Sequence, residues 1–489
     1  MSIRHLDHLF DPAAVAVIGA SSRPHSVGAM VWQRLREGGF SGPVWPVNPK
    51  HTKLDGQPCF PHVDALPGVP DLAVICTPAS TVVPLIEALA RKGTKAAVVL
   101  TAGLDAAQKQ AMLDAARPTL LRILGPNGIG LLVPRHHLNA SFAPADARAG
   151  ALAFVSQSGA LLTAMLDWAR GRGIGFSQIV SLGECADIDF ADVLDYLGSD
   201  GATRAILLYV ESIRDARKFM SAARAAARNK PVIVVKSGRS SAGRAAAGTH
   251  TGKLAGEDAV FDAAIRRAGM LRVDTLQELF IAAETLSHLR ESLALRTGDE
   301  AELAGAERLT ILTNGGGAGV MAAAAAAAAG LALATLPEDV TKALDGVLPS
   351  LWSHANPVDM IGDAPPQRYI DALRILQDSP QTGQLLLIHA PTAIVPSADI
   401  AEALAPLVGA SAGRLTTCWL GGPAVQAARE RFGQAGIPCH DTPEDAVRAL
   451  SMVATYRRNQ AMLMEAPPDR GDDPFDAQAR LEGARQEEE

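Results

Sequence analysis

The chain has 489 residues, of which 48% are apolar, 20% charged and only 4% aromatic, and its net charge is −7. That length supports about three domains of ~150 residues each, and the acidic balance, with few aromatics for base stacking and no long basic run, excludes a nucleic-acid-binding protein. The five cysteines (Cys59, Cys76, Cys185, Cys418 and Cys439) are scattered and never spaced C-x-x-C, which excludes a disulfide framework and a zinc site and fits a reducing cytoplasm.

Met1–Asp11 is polar, so no secretory signal is expected. Apolar runs stay short of the ~18 to 20 residues that a membrane span needs. Short Val- and Ile-rich runs alternate with Ala-rich helical stretches, the pattern of parallel sheets covered by helices. The first unit, residues 1–149, places strands at Val15–Ala20, Val44–Val47, Leu72–Pro78, Ala96–Gly103 and Leu121–Gly125. Its opening stretch, "VAVIGASSRPHSVG", is a strand, a Gly/Ser turn and a helix, which directs a helix N-terminus at a phosphate. It is not G-x-G-x-x-G, and the second strand ends in Val47-Asn48-Pro49-Lys50 where an NAD site carries an acidic residue. A lysine there suits a phosphorylated ribose, as in coenzyme A, and disfavours an NAD-dependent dehydrogenase; a plain surface lysine explains Lys50 equally well. Thr77-Pro78 and Asn127 also fall at strand carboxyl ends.

The second unit, residues 150–290, places strands at Leu152–Ser156, Phe176–Leu182, Ala205–Glu211 and Pro231–Ser237. "LAFVSQSGAL" repeats the strand–turn–helix device, so Ser156, Gln157, Ser158 and Gly159 offer polar groups to an anion, although a serine N-cap explains it as well. After Ser237 comes a run of small and basic residues, "SGRSSAGRAAAGTHTGKLAGED", with one histidine, His250. A neutral imidazole on a mobile loop is a competent phosphoryl nucleophile, and Glu211 at a strand end is where its orienting carboxylate is expected.

Residues 291–307 read as a charged linker. The third unit, residues 308–464, opens with "LTILTNGGGAGVMAAAAAAAAGL", where Gly315, Gly316, Gly317 and Gly319 lead into an alanine helix and the dipole favours an oxyanion. Asn356 and Asp359 follow in a loop. Residues 465–489 are polar and are expected to be disordered.

Together "VAVIGASSRPHSVG" with "VNPK", "VSQSGAL", "SLGECADIDFADVLDYL", "LYVESIRD", "GTHTGKLAGEDAVFDAAIRRAGM" and "NGGGAGV" with "ANPVDMIG" resemble the NDP-forming acyl-CoA synthetases. This is the superfamily of succinyl-CoA synthetase and ADP-forming acetyl-CoA synthetase, and the likeness runs from about Leu9 to Met464. The resemblance implies an α/β protein: a CoA-binding Rossmann-like domain followed by two flavodoxin-like succinyl-CoA-ligase domains. It implies His250 as the phosphorylated histidine and Glu211 as the carboxylate that holds it. The turns Ser156–Gly159 and Gly315–Gly319 would cradle the phosphate, and Gly19, Ala20, Ser21, Ser22, Asn48, Lys50, Thr77, Pro78 and Asn127 would lie near CoA, with no metal ligand among them. Glu184-Cys185 depart from the family's usual asparagine followed by a small or basic residue and stay unassigned. The family's ATP-grasp module is not in the sequence. The expected function is therefore the α-type part of an ADP-forming acyl-CoA synthetase, converting a small carboxylate, CoA and ATP through phosphohistidine and an acyl phosphate. ATP/ADP and Mg2+ would enter through an ATP-grasp β subunit or fused module, in a cytoplasmic oligomer without nucleic-acid or membrane partners. The alternative is a non-catalytic acyl-CoA-sensing region that regulates a GNAT protein acetyltransferase.

Overall fold

The runs "VAVI", "LAVI" and "AAVV" are buried at every position. Strands covered on both faces leave no alternation to read, which is the mark of a parallel sheet between helix layers. The computed structural model of the chain describes residues 3–245, 257–288, 308–408 and 414–465. Its first sheet has the spatial order Val44–Val47, Val15–Ile18, Leu72–Ile75, Ala96–Val99, Arg122–Leu124, all parallel. Counted within the unit, this is the order 2-1-3-4-5.

The same order recurs twice. In the second sheet Phe176–Ser181, Ala149–Ser156, Ala205–Val210, Val232–Lys236 and Leu271–Val273 lie side by side in parallel. In the third, the sequence is Val358–Asp359, Leu309–Thr313, Gln384–His389, Leu415–Trp419, Cys439–His440. Each unit therefore reverses direction between its first and third strands, and the crevice at that reversal is where open α/β sheets bind ligands.

One strand pair departs from the expected boundaries. Gly130–Val133 and Leu138–Ser141 fall in the stretch assigned to the first unit, but they pair antiparallel and extend the second sheet beyond Phe176–Ser181. Their partner is some 50 residues away in sequence, so nothing local marks them. The first two units accordingly share one core, in which Leu9, Phe10 and Val15 join Leu131, Val180 and Leu194.

Local sequence sets the helix starts. Ser26, Asp105, Ser158, Asp189, Asp215 and Thr442 each accept a first-turn backbone N–H, which satisfies one of the four donors a helix leaves open there. The final helix, Pro443–Met464, serves two units. Ala446, Val447, Leu450 and Ala454 pack into the third unit, while Ala449, Met452 and Tyr456 enter the core of the second. Asn459 and Gln460 then tie it to the second unit by donating to the carbonyls of Met270, Ala227 and Gly269. Among the described residues no helix is long and apolar enough to cross a membrane.

Candidate active site at three strand crossings

In the first unit Gly19 ends the first strand with φ +89, and a Cβ there would come within 2.9 Å of the Thr77 methyl group at the end of the third strand. A helix then returns so closely that a Cβ on Gly28 would lie 1.9 Å from the Gly19 carbonyl oxygen. The two glycines let the turn and the helix start approach each other, as a nucleotide phosphate requires. Ser21 Oγ accepts from the Arg23 N–H at 3.0 Å, and Ser22 is exposed beside it. Asn48 is a brace: its amide donates to the Ala20 carbonyl at 2.8 Å, and its oxygen accepts from the Lys50 N–H at 2.9 Å. Lys50 itself is exposed. Thr101, which the sequence did not single out, donates to the Thr77 carbonyl at 2.7 Å, and Thr81 closes the Thr77-Pro78 turn. Asn127, at φ +61, lies exposed at the end of the fifth strand.

A seam joins this edge to the second unit. The N–H groups of Glu184, Ala186 and Ile188 donate to the carbonyls of Pro126, Gly125 and Ile123, and Ile129 N–H donates to Ser181 Oγ. Ile129 then packs so tightly on Gly159 that a Cβ would meet its side chain at 2.7 Å. The loop of Asn127 thus touches both the first strand ends and the start of the helix Gly159–Gly171. Glu184, left unassigned by sequence, pairs with Lys109 at 2.7 Å and accepts from Asn127 at 3.4 Å.

At the second crossing, Ser156 Oγ donates to the Ser158 carbonyl at 2.7 Å and accepts the Ser158 N–H at 3.0 Å, and Ser158 caps Leu161. Gln157 corrects the expectation that every residue of this turn offers a polar group to an anion. Its N–H donates to the Tyr209 carbonyl, and its side-chain oxygen accepts from the N–H groups of Glu211 at 2.7 Å and Ser212 at 3.0 Å. Its amide nitrogen donates to the Ser212 carbonyl at 3.1 Å and reaches the Cys185 sulfur at 3.4 Å. Buried polar groups take partners wherever they are held, and those of Gln157 are all inside the protein. The donors that this turn turns outward are the first-turn N–H groups from Gly159 onward.

Lys236, at the end of the neighbouring strand, was also not singled out by the sequence. It is 6% exposed, donates to the Ser237 carbonyl at 3.2 Å and stands 5.4 Å over the Phe261 ring. Burial pushes its ammonium below the usual lysine value. Arg239 is tied to Asp274 at 2.9 Å. His250 and its neighbours, residues 246–256, lie outside the described residues.

The third crossing copies the second. Thr313 Oγ1 donates to the Gly315 carbonyl at 3.2 Å and accepts its N–H at 3.0 Å, as Ser156 does for Ser158. Asn314 exchanges two 2.8 Å hydrogen bonds with Ala390, as Gln157 clamps Glu211. Gly315 has no side chain to cap the helix Gly316–Ala328, so the N–H groups of its first turn stay open around Gly316 and Gly317. Gly319 is corrected to a packing residue: its N–H donates to the Gly315 carbonyl, and a Cβ would meet Thr313 and Pro357 at 3.1 and 3.2 Å. Asp359 faces the same helix start, with a carboxylate oxygen 2.8 Å from where a Gly316 Cβ would be. Asn356 is wholly structural, bonded to Leu309, Ile311 and Ala334.

A cleft of about 1060 Å³ lies elsewhere, beside the amino end of strand Arg122–Leu124. Its charges neutralise one another, Arg122 with Asp187 and Asp192, and Lys218 with Asp189 and Asp192.

Comparison with known proteins matches three family models in the order of the units. They are a CoA binding domain at residues 13–134, a succinyl-CoA ligase like flavodoxin domain at 149–286 and a Ligase-CoA domain at 309–420. The chain is 37% identical over 462 residues to acetate–CoA ligase (ADP-forming) I of Archaeoglobus fulgidus, covering 93% of this chain and 64% of that protein. It is 37% identical over 472 residues to the alpha subunit of acetate–CoA ligase (ADP-forming) I of Pyrococcus furiosus, covering 94% of this chain and 99% of that subunit. Among solved structures, the dinucleotide forming acetyl-coenzyme A synthetase 1 of Ca. Korarchaeum cryptofilum, in complex with phosphate and ADP, superposes with a TM-score of 0.87. That match is 34% identical and covers 94% of this chain and 98% of the other.

Proposed function

Because the chain belongs to the NDP-forming acyl-CoA synthetase family, we propose that it is the α-type part of an ADP-forming acyl-CoA synthetase acting on a small carboxylate. The chain spans 64% of the length of the Archaeoglobus ligase and nearly all of the Pyrococcus alpha subunit. An ATP-grasp β subunit or fused module would supply the ATP/ADP and Mg2+ site. The relatives are named as ligases, and nothing in them favours the acyl-CoA-sensing alternative.

The observation that carries the reading is the seam between the first two units. The turn of Gly19 and Thr77 is tied through Thr101 to Asn127, and Ile129 of that same loop donates to Ser181 Oγ and packs on Gly159 beside the anion-type turn. A thiol delivered by the first and a phosphoryl group held by the second would meet there.

In the synthetic direction, an imidazole nitrogen of His250 attacks the γ-phosphorus of ATP and ADP leaves. The carboxylate oxygen of the acid then attacks the phosphohistidine phosphorus, forming an acyl phosphate and restoring neutral histidine. Last, the CoA thiolate attacks the acyl carbon and inorganic phosphate departs with the electron pair of the broken C–O bond. Glu211 accepts from the second imidazole N–H and favours the cation that develops on transfer. The open N–H groups after Ser158 and Gly315 stabilise charge on the phosphoryl oxygens without reorganising. The test mixes the chain with a cognate ATP-grasp partner and γ-labelled ATP. Acid-labile, base-stable label on wild type that His250→Ala abolishes is the expected result. A wild-type chain that takes no label while still binding acetyl-CoA overturns the reading.

A further inference from the structure

The polar atoms of the Gln157 side chain all bind the protein, and two of its bonds bracket one residue. Its oxygen accepts the Glu211 N–H, which belongs to the peptide before the Glu211 Cα, and the Ser212 N–H, which belongs to the peptide after it. Its nitrogen holds the Ser212 carbonyl at 3.1 Å. Both peptides flanking Glu211 are thereby pinned to the end of the first strand, across the crossing, by one 9% exposed amide. With φ and ψ held from both sides, the direction of the Glu211 Cα–Cβ bond is set.

The copy in the third unit shows what is particular here. Asn314 makes only a reciprocal pair with Ala390, at 2.8 Å each way, and the strand end it holds has no carboxylate. Gln157 is one methylene longer and also bonds the next residue, Ser212, so the residue between its two pinned peptides is Glu211, at the position that Ala390 holds in the third unit.

We propose that Gln157 is the positioning residue for Glu211, fixing the backbone from which this carboxylate meets the phosphoryl-accepting histidine. The proposal rests on the reading of Glu211 given above. Gln157 touches neither substrate nor phosphate; it acts through the geometry of Glu211.

A double-mutant cycle tests it on the full chain with acetyl-CoA and labelled inorganic phosphate as the probes, reading the initial rate of protein labelling and the acetyl-CoA concentration for half-maximal rate. Gln157→Met keeps the volume and removes every bond; the expected loss of rate is roughly 10- to 100-fold, as for other orienting partners, with half-saturation unchanged. Gln157→Glu keeps an acceptor oxygen for the two N–H groups and is expected to recover most of that loss. In a Glu211→Gln background, Gln157→Met is expected to cost less than about threefold, because residues that act as one unit are not additive. Equal losses in both backgrounds, with wild type labelled, overturn this proposal alone. No label on wild type overturns the parent reading and this one together. If Gln157→Met fails to fold, Gln157→Asn, which shortens the amide by one methylene, takes its place in the cycle: a loss with Glu211 present that falls below about threefold in the Glu211→Gln background supports the proposal, and equal losses in both backgrounds overturn it.

Discussion

Lys109 Nζ lies 2.7 Å from Glu184 Oε2, and the pair crosses the seam between the CoA-type sheet and the first ligase-type sheet. Each side chain is about one-third exposed, 32% and 31%. Solvent screens such pairs, so their coupling is expected below about 1 kcal/mol. Urea unfolding of Lys109→Met, Glu184→Gln and the double variant measures it, and a coupling above about 2 kcal/mol would show the seam to depend on this pair. The buried backbone ladder of Glu184, Ala186 and Ile188 is expected to hold the seam instead.

Gly28 and Gly317 both stand in the first turn of a helix that follows a first strand, yet they differ in surroundings. A methyl on Gly28 would collide with the Gly19 carbonyl, whereas one on Gly317 meets nothing within 4 Å. Gly28→Ala is expected to lose about 3 kcal/mol and to abolish CoA binding, because backbone cannot yield as a flexible side chain does. Gly317→Ala is expected to stay within about 0.5 kcal/mol of wild type. Denaturant melts and CoA titration of the two variants decide it; similar losses at both positions would contradict the assigned contacts.

Lys50 follows the second strand on a turn whose backbone Asn48 holds. If its ammonium meets the 3′-phosphate of CoA, Lys50→Ala weakens CoA roughly fivefold, the reach of one exposed ion pair. Dephospho-CoA should bind both proteins alike. Calorimetric titration with the two ligands is the check, and equal weakening of both removes the assignment.

His389 ends the third strand of the last unit at 1% exposure, between Tyr369 OH at 2.8 Å and Ser397 Oγ at 2.9 Å. Burial lowers its pKa from the usual 6.5 to about 4. The unfolded chain therefore binds a proton between these values that the folded chain refuses, so stability falls as pH drops through 6.5 toward 4. The loss attributable to this residue between pH 7 and pH 5 is about 2 kcal/mol. His389→Gln should flatten that part of the stability curve. An unchanged pH dependence in the variant would falsify the buried neutral assignment.

Much of this chain can be read without coordinates. Buried parallel strands are short unbroken apolar runs, and glycine or serine turns punctuate them, so Val15–Ile18, Leu152–Ser156 and Leu309–Thr313 and the turns after them stand out locally. The hairpin Gly130–Val133 with Leu138–Ser141 does not, because its place in the second sheet depends on Ile179 and Val180, far along the chain. Lys236 was equally hidden, since a lysine closing a strand reads as a surface group until its burial is known. His250 is singled out by the sequence from its setting of small residues, and its position lies outside the described residues.

Residue types and their spacing determined by themselves that three strand–turn–helix devices stand in series, each able to present backbone donors to an anion. Only the tertiary structure decided that the three sheets share one strand order, and which polar residue at each crossing faces outward. Gln157, Asn48 and Asn314 have the same polar groups as a ligand-binding residue, but hydrogen bonds to neighbouring strands take them inward. Which partner a buried amide meets is a property of strands brought together from distant parts of the chain, and local sequence does not encode it.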